Sequence, residues 1–217
     1  MEQSEGMTHA SKKRQARSPH RPPPQSAATR LMASLRSLAG DIWHLPEPIM
    51  HVVRRAAARR QVVESAPIGS ALFICHGNVC RSPFAAAFFS RAMPLAGPRV
   101  SVRSAGFIGP GRQPPAPALS AASRRNLDLT THRSALITGP EVGATDLVVV
   151  MSVEQAVALR RQLGRLSATM IVLGDLDPRP IRRRTILDPW GGDDATFDES
   201  YDRIERCITE LVLLLTR

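Results

Sequence analysis

At 217 residues and a net charge of +10, the chain is long enough for one sizeable α/β core with an appendage. No run approaches the ~18 consecutive apolar residues of a membrane span, and no apolar h-region marks a secretory signal. Lys12 and Lys13 are the only lysines among 29 basic residues, an Arg skew typical of a GC-rich genome, and no RNA- or DNA-binding motif accompanies it, which excludes a nucleic-acid binder.

Residues 1–29 hold Lys12-Lys13-Arg14, Arg17, Arg21 and Pro22-Pro23-Pro24 with almost no apolar content. Such a composition cannot bury enough surface to offset chain entropy, so a disordered basic tail is expected. Residues 30–69 read as an amphipathic helical extension. Leu31, Leu35, Leu38 and Ile42 recur at helical spacing, and Pro46 and Pro48 interrupt the pattern. A second helical pattern sets Ile49, Met50, Val52, Val53 and Ala56 against Arg54, Arg55, Arg59 and Arg60. A basic amphipathic helix of this kind can make a weak membrane-surface or partner contact through 30–63, or dock on its own catalytic domain.

The stretch Ala71–Pro83 reads ALFICHGNVCRSP. Its apolar run predicts a strand that ends at Cys75; a tight loop follows, then a helix with Ser82 as N-cap and Pro83 at its first position. Backbone N–H groups and a helix N-terminus would surround one small volume, suited to a tetrahedral oxyanion. Arg81 adds a planar fork of donors for two phosphate oxygens. The same positive surroundings favour Cys75 as a thiolate, the reactive form. A nucleophile inside an anion cradle implies phosphoryl transfer through a cysteinyl-phosphate.

From there strands are predicted near 71–75, 99–104, 146–151 and 169–173, and helices near 83–93, 115–126, 153–163 and 195–216. The alternation implies a three-layer α/β/α sandwich on a four-stranded parallel sheet, with functional groups at the carboxyl ends of the strands. Phosphoryl transfer also needs a proton donor for the leaving oxygen. Asp188, in Asp188-Pro189-Trp190 after the last strand, is the candidate; Trp190 would wall a planar leaving group. Asp175, Asp177, Asp193 and Asp194 read as loop or helix-start charges. Three cysteines, two of them flanking the loop, argue for a reducing compartment, hence the cytoplasm.

Cys75 through Pro83, together with Asp188-Pro189-Trp190, resembles the low-molecular-weight protein tyrosine phosphatases. Ser104-Ala105-Gly106, His132-Arg133, Asp146 through Met151 and Phe197 through Ile204 match in order, so the resemblance spans about 70–217. It implies hydrolysis of phosphotyrosine in protein substrates, with no metal or other cofactor. Cys75 would be nucleophile, Arg81 the phosphate binder and Asp188 general acid, then base. His76, Gly77, Val79 and Cys80 complete the loop, Ser82 stabilises the thiolate, and Asn78, Ser104 and His132 hold the loop in shape. Cys80 matches a cysteine able to pair reversibly with Cys75; a small apolar filler is the alternative. The family commonly has Asp where this chain has Ser152. Other readings are a phosphoarginine phosphatase, disfavoured by the apolar Val79, and an arsenate reductase of the same fold, which needs two further cysteines that 106–150 lack. An inactive phospho-binding module is disfavoured because nucleophile, Arg and acid are all present.

Overall fold

The computed structural model describes residues 47–95, 97 and 99–216. The expectations for residues 1–29 and for Leu31, Leu35, Leu38 and Ile42 lie outside these. Helix α1 (Glu47–Glu64) precedes strand β1 (Ser70–Cys75), and α2 (Arg81–Ala92) leads to β2 (Ser101–Gly106). Helices α3 (Ala116–Ser123) and α4 (Gly139–Gly143) lead to β3 (Leu147–Val150), α5 (Val153–Leu163) and β4 (Thr169–Val172). A 3₁₀ turn, Leu173–Leu176, and the long α6 (Asp194–Leu215) complete the described chain.

The four strands pair in parallel in the order β2-β1-β3-β4. All but the first residue of β1 and all of β3 are buried, as expected for central strands covered on both faces. Alternate side chains point to opposite layers. Phe73 and Val149 join α1, α2, α3 and α6 in one core; Leu72, Ile74, Val148 and Val150 join α4 and α5 in the other. This is the expected three-layer sandwich. The sheet ends bring Cys75 level with Gly106.

Differences from the sequence reading are local. Strand β2 runs two residues further than expected because it stays paired with β1 up to Cys75. Helix α2 starts at Arg81, so Ser82 lies inside its first turn rather than at the cap. Its hydroxyl makes no cap bond and turns to the Cys75 sulfur. Helix α4 was not anticipated. Thr138 caps it by accepting from Glu141 N–H.

Helix α1 packs with the face opposite to the one its apolar residues suggest. His51, Ala58 and Val62 are buried, whereas Ile49, Val52, Val53 and Val63 are exposed. The cause is polar. Arg55 and Arg59 both reach Glu210 on α6, and His51 Nε2 donates to the Asp177 carbonyl at 2.9 Å. A carboxylate shared by two guanidinium groups and a backbone acceptor fix the helix rotation, and Ala58 and Val62 fill the space beneath. No helix among the described residues is long and apolar enough to cross a membrane.

Candidate active site

The site is assembled at the carboxyl edge of the sheet. Cys75 closes β1, and residues 76–80 turn back over it into α2. Two donors converge on the Cys75 sulfur, the Asn78 backbone N–H at 3.2 Å and the Ser82 hydroxyl at 3.0 Å.

Asn78 makes this loop possible. Its φ is +50°, a left-handed conformation that Asn tolerates better than most residues. Its side-chain amide donates to Ser82 Oγ and Ser104 Oγ, both at 2.9 Å, and its oxygen accepts from Ala135 N–H at 2.8 Å. His132 Nε2 donates to the Asn78 carbonyl at 2.8 Å. The bonds around Asn78 therefore tie the loop to β2, to α2 and to the segment ahead of α4. Ser104 and His132 both reach Asn78 from outside the loop. Ser152, the departure from the family pattern, caps α5 by accepting from Gln155 N–H.

Gly106 is required for a different reason. A Cβ there would lie 2.8 Å from Asn78 N and 2.9 Å from the His76 carbonyl oxygen. The loop backbone passes too close for any side chain. Phe107 N–H donates to that same His76 carbonyl at 2.8 Å.

Arg81 is buried, and its fork faces the segment that carries Asp188. Nη1 donates to the Ile186 carbonyl at 3.2 Å, and Nη2 pairs with the Asp188 carboxylate. Trp190 N–H donates to the other carboxylate oxygen at 3.3 Å, which orients it. Trp190 itself is 61% exposed and stands at the pocket mouth.

These elements enclose a pocket of about 370 Å³ lined by Cys75, His76, Gly77, Val79, Cys80, Arg81, Ile108, Arg112, Asp188 and Trp190. Of the candidate site residues, Cys75, His76, Gly77, Val79, Cys80, Arg81, Asp188 and Trp190 line this wall, and Asn78, Ser82, Ser104 and His132 lie in the bonds that brace it. Ile108 and Arg112 escaped the sequence reading. Arg112 donates to the carbonyls of Gly77, Ile108 and Gly109, and so ties the loop to the turn after β2. A guanidinium that binds only backbone carbonyls has no pairing signal in a sequence. Cys80 differs from Cys75 in its surroundings. Burial first, then the negative groups Cys75 and Asp188, push its thiol up to about 12, so it stays protonated at neutral pH. Burial also raises Cys207, which sits in the core of α6.

Asp175 and Asp177, expected to be loop charges, are buried ion-pair centres. Arg184 grips Asp175 with two bonds at 2.8 and 2.6 Å, and Arg203 and Arg206 both hold Asp177. Asp193 does cap α6, accepting from Thr196 N–H.

The sequence model of the low molecular weight phosphotyrosine protein phosphatases matches residues 70–217. The chain belongs to this family, and with it to the phosphoric monoester hydrolases. A protein-arginine-phosphatase of Bacillus subtilis is 29% identical over 147 residues, 67% of this chain and 96% of that one. Low molecular weight protein-tyrosine phosphatase A of Mycobacterium tuberculosis is 34% identical over 146 residues, 64% of this chain and 86% of its own. Among solved structures, YwlE arginine phosphatase, as a cysteine-to-serine mutant with a phosphorylated active-site serine, superposes with a TM-score of 0.62. That likeness has 28% identity and covers 68% of this chain and 96% of the other. Helix α1 lies outside the matched residues.

Proposed function

We propose that this family member is a protein tyrosine phosphatase that works through a phosphocysteine intermediate. The observation that carries the reading is the convergence of the Cys75 sulfur, its two donors, the Arg81 fork and the Asp188 carboxylate on one pocket. The Cys75 thiolate attacks phosphorus as the bond to the phenolic oxygen breaks, and Asp188 gives that oxygen its proton. A water then attacks the cysteinyl-phosphate and Asp188 takes its proton. Inorganic phosphate leaves and the thiolate is restored. On phosphate binding the Arg81 fork exchanges the Ile186 carbonyl and the Asp188 carboxylate for the equatorial oxygens, which the loop N–H groups also meet. Asp188 is thereby freed to carry the proton it donates. The phosphorylated active-site serine in the YwlE mutant supports a covalent phosphoenzyme in this fold. A reducing compartment such as the cytoplasm suits a catalytic thiolate.

Phosphoarginine is the second reading, since one relative is named a protein-arginine-phosphatase. Two features of the pocket favour tyrosine. Val79, Ile108 and Trp190 offer apolar surface to a phenyl ring, and Arg112 would oppose a guanidinium at the rim. The test is a panel of phosphotyrosine, phosphoarginine and phosphoserine peptides. Turnover should be fastest with phosphotyrosine and absent in Cys75→Ser; activity retained in that variant removes the mechanism, and faster turnover of phosphoarginine reverses the substrate assignment.

A further inference from the structure

The segment that carries Asp188 is held from a distance. Ser200 on α6 donates to the Leu187 carbonyl at 2.9 Å, and Ile186 is fixed on both sides, by Met151 and by Arg81. Further back, Arg203 donates to the carbonyls of Thr185 at 2.9 Å and Arg183 at 2.7 Å. What aims Arg203 is Asp177, whose carboxylate takes its Nε at 3.1 Å and Arg206 Nη2 at the same distance. Asp177 is 1% exposed, and its own carbonyl is the acceptor of His51 on α1. One helix outside the family match therefore ends on the residue that orients the bracket of the acid segment.

The choice of histidine has a local cost. His51 Nδ1 and Arg55 Nε are buried with no partner among the described residues, and an unpaired buried polar atom destabilises. A leucine would remove the unpaired Nδ1 but would also take away the donor to the Asp177 carbonyl. What the imidazole adds is the Nε2 bond to Asp177.

We propose that α1 is a positioning element of the catalytic domain, with His51 acting through Asp177 and Arg203 to set where Asp188 stands at the pocket mouth. This rests on Asp188 being the proton donor. A misplaced acid is felt where the leaving oxygen needs protonation and is forgiven where it does not. A stabilising strap alone would move the melting point and leave that selectivity untouched.

The experiment uses the full chain and compares kcat/KM, which reports the step that expels the leaving group, on phenyl phosphate, a poor leaving group, with p-nitrophenyl phosphate, a good one. Asp188→Asn sets the scale and should slow phenyl phosphate far more. His51→Leu should lower the phenyl-to-nitrophenyl ratio about fivefold, the equivalent of one ordinary buried hydrogen bond. His51→Gln, whose amide nitrogen can stand in for Nε2, should recover most of the ratio. Val52→Ser, on the exposed face of α1, should not change it. Should the leucine variant not fold, His51→Asn, too short to reach the carbonyl, takes its place. If Asp188→Asn shows the selectivity and His51→Leu does not, the coupling is refuted and the mechanism stands. If Asp188→Asn itself slows both substrates alike, the acid assignment falls first.

Discussion

Replacing Asn78 by alanine should be among the most damaging single changes outside the reacting groups themselves. The side chain makes three hydrogen bonds, to Ser82, Ser104 and Ala135, and is fully buried. At about 1 kcal/mol each, their loss removes about 3 kcal/mol. Alanine at φ +50° adds ~1 kcal/mol of backbone strain that Asn partly escapes. The sum, about 4 kcal/mol, is a large share of the 5–15 kcal/mol typical of a domain and corresponds to a fall in Tm of about 8–16 °C. Asn78→Gly loses the same bonds but keeps the backbone at ease, so it should melt ~1 kcal/mol above the alanine variant. Urea unfolding of the two variants gives both numbers. Turnover should fall in both, because the Asn78 N–H that points at the Cys75 sulfur is no longer held in place. A loss below ~1 kcal/mol in both variants would refute the network argument, and equal losses would refute the backbone argument.

Other expectations follow from single sites. Gly106→Ala puts a methyl within 3 Å of loop backbone at Asn78 and His76, so kcat should drop with a stability cost of ~1–3 kcal/mol; wild-type turnover would show that the loop can retreat. Iodoacetate at pH 8 should label Cys75 alone, because burial holds Cys80 and Cys207 as protonated thiols; two labels by mass spectrometry would contradict this. Hydrogen bonds from Arg125 and then Arg124 hold the Asp198 carboxyl below the usual range. A carboxylate with a lowered folded value stabilises fully above its unfolded value of ~3.9 and loses that contribution as pH falls through the folded one. The urea midpoint of Asp198→Asn should therefore decline less steeply than that of the wild type below about pH 4, and parallel curves would count against the pairing.

The loop after β1 was legible because its chemistry is local. Strand, turn residues, Arg81 and the helix start lie within thirteen residues, Ala71 to Pro83, and each carries its own signal. Asp188 was legible through its neighbours Pro189 and Trp190. What escaped was long-range. Asp177 is buried because Arg203 and Arg206 arrive from a helix 26 and 29 residues away. Helix α1 shows the same limit. Hydrophobic periodicity points at Ile49, Val52 and Val53, yet Glu210 and the Asp177 carbonyl turn the helix the other way. Ser82 was misplaced as a cap because the nearby sulfur outcompetes the helix end for its hydroxyl.

The docking of α1 has a practical consequence for anyone shortening this protein. Residue 70, where the family match begins, is a natural place to cut by homology, and the cut would discard the partner of a mostly buried carboxylate. Glu210, 12% exposed with α1 in place, would lose both its arginines, and the surface under Ala58 and Val62 would meet water. An unpaired acid beside a bared apolar patch is a recipe for poor yield and self-association. The boundary that respects this molecule runs ahead of Glu47.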